Sequence, residues 1–325
     1  MINLETQYLG INLRNPLIVS SSGLSSTVDK IKQIEENGAG AVVLKSLFEE
    51  QINYEALTLA KGTDYPEAMD YVNYYIKNNS VENYLKLIRQ AKQEVSIPVF
   101  ASINCVSASQ WVEFAKKIEE AGADGLEVNV FILPLDKNAR ADSYEKIYYE
   151  LADKLNETIS IPYAFKLGSN FTNLVGVVER LNAVDVPGVV LFNRFYEPDI
   201  NVDNLNFTAA EVFSSPSDIR LSLRWVGIIS SKVEKIDVSA STGVHDGKGA
   251  IKQLLAGART VQICSTIYKN GFAQIKNILE EMKGWMQEHE FDRVEEFRGK
   301  LSYSKLEEPM IYERSQFMRY FSSIQ

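Results

Sequence analysis

The sequence predicts an α/β protein, a (β/α)8 TIM barrel, and two observations carry this prediction. Eight short apolar runs alternate with helical patterns along the 325-residue chain. In addition, a glycine at the end of a helical stretch is followed by small and then β-branched residues three times, starting at Gly38, Gly122 and Gly257. Such a glycine suits the left-handed residue that ends a helix, and the run after it suits a parallel strand buried on both faces. An open, doubly wound sheet is the competing fold.

The predicted strands are short runs rich in Val, Ile, Leu and Ala. They cover residues 17–20, 41–44, 99–103, 125–130, 163–167, 188–192, 236–239 and 260–263. Helical periodicity predicts helices that include 28–37, 81–93 and 107–121. The last of these opens with the capping-box spacing Ser107 to Gln110.

Two segments are longer than ordinary loops between a strand and a helix. Residues 46–80 and 194–217 follow strands 2 and 6, so we expect inserted loops over the face where barrels keep their active sites. The aromatic stretch 65–75 could instead form the contact of a homodimer. Residues 292–325 are expected to add a short helical extension to a single domain that spans residues 1–325.

Composition and charge exclude several classes of protein. Hydrophobic residues make up 45% and charged residues 24%, as in an ordinary folded protein. The net charge of −9, without a basic stripe, argues against a nucleic-acid partner. No run is apolar enough to predict a membrane span, and the start at Met1 lacks a signal-peptide pattern. With only Cys105 and Cys264, and only His245 and His289, we expect a cytoplasmic protein without a metal site.

Polar residues stand at the end of nearly every predicted strand, where a barrel builds its active site. The small residues Thr242, Gly243, Cys264 and Ser265 follow strands 7 and 8 and could bind the phosphate of a cofactor, or could serve only to pack the loops. Two lysines, Lys45 and Lys166, need an anionic or electron-rich partner. A strand carboxylate such as Glu127 could be that partner.

In order and spacing, these motifs resemble the dihydroorotate dehydrogenases, most closely the soluble class 1 type, over residues 15–300. The segment from Asn15-Pro16 to Gly23 is similar to the family's Asn-Pro…Ala-Ser-Gly opening. The segment Gly38 to Ser46 is similar to its Gly-Ala-Gly…Thr-Lys-Ser stretch, and Gly257 to Gly271 to its last phosphate-binding strand and the following helix. The resemblance implies an FMN-dependent oxidoreductase of the kind that converts dihydroorotate to orotate in pyrimidine biosynthesis.

The resemblance also implies two sets of site residues. The FMN contacts would be Ser21, Ser22, Gly23, Lys45, Ser46, Asn129, Lys166, Thr242, Gly243, Cys264 and Ser265. The substrate contacts would be Lys45, Asn129, Asn193 and Arg194. Arg194 could grip a substrate carboxylate through two hydrogen bonds, or could pair with Glu197 or Asp199. Cys264 would pack beside the phosphate rather than act as a nucleophile.

The resemblance fails at the catalytic loop. The family reads Asn-x-Ser-Cys-Pro-Asn there, whereas this chain places Ile132 where the Cys, or Ser in other classes, accepts a proton. The family's substrate loop after strand 2 is also replaced, by the unrelated residues 62–68. Three hypotheses follow: an FMN oxidoreductase with a different substrate, a dihydroorotate dehydrogenase with a displaced base such as Tyr65 or Glu49, or a flavin-binding or structural protein without turnover. The catalytic residue stays unassigned.

Overall fold

The computed structural model describes residues 2–48, 66–105, 108–130, 132–194, 197–209 and 211–313. The strands in this part of the chain are β1 (Thr6–Tyr8), β2 (Ile11–Leu13), β3 (Leu17–Val19), β4 (Ala41–Val43), β5 (Leu47–Phe48), β6 (Val99–Cys105), β7 (Gly125–Val130), β8 (Tyr163–Leu167), β9 (Gly188–Leu191), β10 (Pro198–Asn201), β11 (Asn206–Ala209), β12 (Asp237–Ser241) and β13 (Thr260–Ile263). The helices are α1 (Val28–Glu36), α2 (Pro66–Glu94), α3 (Ala108–Glu120), α4 (Ala141–Thr158), α5 (Leu174–Ala183), α6 (Ile219–Lys232), α7 (Gly247–Ala256), α8 (Ser265–Asn270), α9 (Ala273–Glu288), α10 (Val294–Phe297) and α11 (Met310–Glu313). None of these helices is long and apolar enough to cross a membrane.

Eight parallel strands close into a barrel surrounded by helices, which confirms the predicted (β/α)8 fold. The ring runs β3, β4, β6, β7, β8, β9, β12 and β13. It closes because β3 pairs with both β4 and β13, so the ring has no free edge and the open sheet is excluded. The short strand β5 continues the line of β4 and pairs further along β6.

Side chains alternate between the two faces of each strand, as β geometry requires. Inward-facing Ile18, Val43, Phe100, Ala164 and Val190 form one cluster inside the barrel. The residues between them on the strands belong to a larger cluster against the helices. The same alternation points the polar residues near the carboxyl ends of the strands into the barrel. The barrel interior is therefore apolar in the layer of this cluster and polar at the carboxyl end, which we call the polar mouth.

The N-terminal hairpin of β1 and β2 packs into the interior cluster and was not predicted from the sequence. Tyr8, Leu9 and Leu13 belong to that cluster and are at least nine-tenths buried. The backbone N–H of Leu9 also donates to Asp237 Oδ2 at 2.7 Å. Because Asp237 and Phe100 lie near the amino ends of their strands, the hairpin covers the end of the barrel opposite the polar mouth.

The prediction of a long loop over 46–80 was wrong for part of its length. Strand β5 and the first residues of α2 lie within it, because Pro66 begins a helix that continues into the predicted 81–93 helix. Proline is favoured in the first turn of a helix, so this start was readable from the sequence. The second segment, 194–217, contains the hairpin of β10 and β11.

Residues 292–313, the described part of the predicted C-terminal extension, form short helical segments. These segments are α10, a 3-10 turn at Tyr303–Lys305 and α11. Val294 and Phe297 of α10 are fully buried, so the extension is anchored by a few apolar side chains rather than by one long amphipathic helix.

Candidate active site

A cavity of about 210 Å³ opens at the polar mouth, beside the ends of β3, β8, β9, β12 and β13. It brings together many of the residues predicted from the sequence. The predicted site residues in its lining are Ser21, Lys166, Asn193, Arg194, Thr242, Gly243, Cys264 and Ser265. The other predicted residues, Ser22, Gly23, Lys45, Ser46 and Asn129, are described by the structure but do not line this cavity.

The turn after β12 presents backbone donors to the cavity. Thr242 and Gly243 both have positive φ angles, of 77° and 79°. The backbone N–H groups of Gly243 and Val244 donate to no residue that the structure describes. Gly243 and Val244 both line the cavity, so two backbone donors without a described partner lie at this end of it.

Residues 211–214, part of the insertion after β9, contribute to the lining of the cavity and are held by hydrogen bonds on both sides. Arg194 donates from Nη1 to the Val212 carbonyl and from Nη2 to the Glu211 carbonyl, both at 2.7 Å. On the other side, the Ser214 N–H donates to Ser265 Oγ at 3.0 Å. The structure thus places Arg194 on backbone carbonyls, and the expected ion pair of Arg194 with Glu197 or Asp199 is not formed.

Lys166 lies in a buried network at the base of the cavity. Its Nζ contacts Glu127 Oε1 at 3.1 Å, and Ser20 Oγ and Gln262 Oε1 at 3.0 Å each. Gln262 Nε2 in turn donates to Glu127 Oε2 at 2.6 Å. Lys166 therefore has the carboxylate partner that the sequence suggested, whereas the side chain of Lys45 is exposed.

A chain of hydroxyl groups joins the ends of the first three barrel strands. Ser21 Oγ lies 2.9 Å from Ser46 Oγ, which lies 2.7 Å from Ser102 Oγ. Ser22 uses its hydroxyl locally, because its Oγ accepts from the Leu24 N–H and caps the 3-10 turn that begins at Gly23. This chain fixes the loops next to the mouth.

The loop after β7 carries the largest departure from the family pattern. Asn129 Oδ1 accepts from Asn193 Nδ2 at 3.1 Å, so these two predicted residues meet. Ile132 packs against the strand–helix core and lines a separate cavity of about 300 Å³ with Tyr148 and Phe171. It offers no proton acceptor. The displaced bases Tyr65 and Glu49, and the cap Ser107, lie outside the described residues.

Several site residues were missed from the sequence. Gln262 and Ser241 line the cavity, and each lies two residues before a predicted residue, Cys264 and Gly243 respectively. Strand periodicity could have found them. Ser214, whose Oγ lies 3.1 Å from His245 Nε2, came from a loop without a pattern. Burial and the nearby Lys269 lower the pKa of His245.

Cys264 is half-buried at the cavity wall. Burial raises the pKa of its thiol, although a hydrogen bond from Ser22 and the charge of Lys166 act in the opposite direction. A thiol with a raised pKa is a poor nucleophile at neutral pH. The packing role of Cys264 beside a phosphate stays a prediction.

Comparison with known proteins agrees with this geometry. The sequence profile of the dihydroorotate dehydrogenase family matches residues 3–286. The catalytic subunit of dihydroorotate dehydrogenase B (NAD(+)) from Thermoplasma acidophilum is 26% identical over 306 residues, which cover 92% of this chain and 99% of that protein. The chloroplastic dihydropyrimidine dehydrogenase (NADP(+)) of Arabidopsis thaliana is 22% identical over 320 residues, covering 89% of this chain and 75% of that protein. Because the profile spans most of the sequence, the chain belongs to the dihydroorotate dehydrogenase family.

Proposed function

We propose that this protein is an FMN-dependent oxidoreductase that oxidises a cyclic, carboxylate-bearing substrate related to dihydroorotate. The observation that carries the proposal is the mouth cavity, where the turn after β12, Lys166 with its network, and Asn193 meet at the carboxyl ends of the barrel strands. Asn193 in turn donates a hydrogen bond to Asn129 next to the cavity. Family membership supports an oxidoreductase reaction, and the cofactor and substrate are our inference.

The residues at the mouth fit FMN. The free N–H groups of Gly243 and Val244, with the hydroxyl of Ser265, would hold the phosphate. Ser21 and Lys166 would lie along the ring system. When bound, FMN supplies a two-electron acceptor for hydride. The ion pair with Glu127 holds the side chain of Lys166 in place inside the barrel.

The substrate would be held by amides and cations at the mouth. Asn129 and Asn193 orient each other through their hydrogen bond, and each keeps amide groups that can bind a polar ring. Among the described residues, Arg194 donates to two backbone carbonyls, and its other N–H groups would bind the substrate carboxylate. Lys45 adds an exposed cation next to the mouth.

The absence of a base at position 132 supports a second candidate, a flavin-binding protein without turnover. General base catalysis contributes about 10²–10⁴ in rate. Ile132 cannot accept a proton, and its side chain packs into an apolar core rather than toward the mouth cavity. Oxidation of dihydroorotate at a normal rate would therefore require a proton acceptor from elsewhere in the protein.

One experiment tests the function and separates these candidates. The purified protein is examined for a flavin spectrum, then mixed anaerobically with dihydroorotate and, separately, dihydrouracil. We expect bound FMN and bleaching of its absorbance by dihydroorotate; bleaching by dihydrouracil alone would contradict a carboxylate-bearing substrate. A flavin spectrum that neither compound bleaches would favour the protein without turnover. A protein that binds no FMN would contradict both candidates.

A further inference from the structure

Asn104 lies at the polar mouth but was not among the predicted contacts. It is four residues beyond Phe100 on β6, and since Phe100 packs inside the barrel, strand alternation turns Asn104 inward as well. Its Cα is paired in register with that of Asn129 on β7. The residue is 7% exposed. Asn104 therefore occupies the same layer of the barrel as the Asn129–Asn193 pair.

Asn104 carries a buried acceptor that the protein does not use. Its Oδ1 accepts no hydrogen bond from any residue that the structure describes. Asn129 differs, because its Oδ1 is taken by Asn193 Nδ2. A buried amide oxygen without a partner destabilises the folded state, so proteins rarely keep one without a reason. At a ligand site, the reason is a ligand that supplies the donor.

We propose that Asn104 determines specificity by accepting, through Oδ1, a hydrogen bond from a ring N–H of the substrate. The inference rests on the proposed function and adds to it one residue that determines specificity. A site that offers a buried hydrogen-bonding group rejects analogues without the matching group, because the buried group is then left unpaired. The isoalloxazine of FMN also carries a ring N–H, so the test must distinguish cofactor from substrate.

The test combines variants of the protein with variants of the ligand. Orotate, 1-methylorotate and 3-methylorotate are titrated into the FMN-loaded protein, and binding is followed by the change in flavin absorbance. Removal of one ring N–H should weaken binding to the wild type about tenfold, a typical effect of one hydrogen bond. In Asn104→Leu, which has a similar shape and no acceptor, orotate should bind about tenfold more weakly and methylation at that nitrogen should have no further effect.

A stability measurement separates a ligand contact from a structural role. Asn104→Leu removes the unpaired oxygen, so thermal unfolding of the protein without added orotate should occur at the same or a higher temperature. The matched control is Tyr149→Phe, which removes another buried and unpaired oxygen, on α4 away from the mouth. Tyr149→Phe should leave the affinities for FMN and orotate unchanged.

Three results would overturn the inference. In the first, Asn104→Leu binds orotate as the wild type does. In the second, it weakens FMN binding, measured by flavin fluorescence, without changing orotate binding, which would assign the acceptor to the cofactor. In the third, the wild type binds FMN but neither orotate nor its methyl derivatives, which would leave the cofactor proposal standing. Failure to bind FMN at all would instead reject the proposed function itself.

Discussion

Gly243 shows how one backbone conformation shapes the phosphate end of the site. Its φ of 79° is rarely adopted by L side chains, and a Cβ built there would lie 2.1 Å from the backbone nitrogen of Ile219. Gly10 has nearly the same φ, of 78°, but a Cβ built there meets nothing within 4 Å. Substitution of Gly10 therefore tests backbone strain alone, whereas substitution of Gly243 tests backbone strain together with a steric clash.

We expect Gly243→Ala to lose FMN because the turn must move away from α6 and take its N–H groups with it. Gly10→Ala should lower the free energy of unfolding by about 1 kcal/mol, because of its positive φ alone, and should still bind FMN. FMN content after purification and dissociation constants from flavin fluorescence measure both. Stoichiometric FMN in Gly243→Ala would contradict the assignment of the phosphate end.

Lys166 and Glu127 are a buried ion pair, 5% and 3% exposed. We expect Lys166→Met to lower the free energy of unfolding by about 3–5 kcal/mol, because it leaves the Glu127 carboxylate buried without its cation. The double variant Lys166→Met/Glu127→Gln, which removes both charges, should recover much of that loss. Urea denaturation of the three proteins at pH 7 measures the effect. Equal loss in the single and double variants would show that packing, not the unpaired charge, dominates.

At the scale of elements, a repeated contact joins the end of a helix to the segment before the second barrel strand that follows it. Glu35, at the end of α1, accepts hydrogen bonds from the backbone N–H groups of Ser96 and Ile97 before β6. Glu119, at the end of α3, accepts from those of Ser160 and Ile161 before β8. The same contact occurs at two places around the barrel, so we infer that it helps to align neighbouring βα units.

We predict an acid-sensitive contribution from Glu119. Hydrogen bonds from Lys116 and Ser160 lower the pKa of Glu119 to about 2, against an ordinary value of 4.5. Because the pKa is lower in the folded state, the stabilisation is fully present above pH 4.5 and is lost as the pH falls toward 2. Glu119→Gln should therefore be about 1 kcal/mol less stable than the wild type at pH 7, with a difference that shrinks below pH 4.5.

Urea denaturation at several pH values measures this difference. The control is Glu120→Gln, an exposed neighbour on the same helix, which should match the wild type throughout. A stability difference for Glu119→Gln that does not change between pH 7 and pH 3 would contradict the role of its charge.

Residues 211–214 are held by Arg194, and we expect Arg194→Ala to release them. Loss of two charge-assisted hydrogen bonds to the carbonyls of Glu211 and Val212 should cost about 1–3 kcal/mol of local stability. Limited proteolysis within 197–213 should become faster, and ligand affinity should fall. The control is Arg140→Ala, an exposed arginine that pairs with Asp142. Unchanged proteolysis in Arg194→Ala would show that the Ser214 contacts suffice.

At the scale of the whole molecule, the barrel depends on the N-terminal hairpin. Leu13 is 1% exposed and packs among strand residues from around the ring. We expect Leu13→Ala to lower the free energy of global unfolding by about 2–5 kcal/mol, as for other fully buried leucines. Asn12→Ala, exposed on the same strand, should cost little. A small effect of Leu13→Ala on the urea midpoint would show that the hairpin is dispensable.

The sequence predicted the parts of the fold that depend on local pattern. The eight strand positions followed from apolar runs and helix-ending glycines, and they held to within a few residues of the observed bounds. The hairpin of β1 and β2 was missed because its strands are only three residues long and carry no clear period. The sequence prediction began this helix only at residue 81, although Pro66, a residue favoured in the first turn of a helix, starts α2.

The sequence by itself determined the barrel, its polar mouth and the family, because strand and helix periods, glycine positions and motif order are local properties of the chain. Only the tertiary structure decided which polar groups pair. Lys166 contacts Glu127 and Gln262, which lie 39 and 96 residues away in the sequence. Arg194 donates to backbone carbonyls rather than to its acidic neighbours, and no described residue donates to Asn104 Oδ1. Such pairings depend on distances across a closed ring, which no single segment of the sequence specifies.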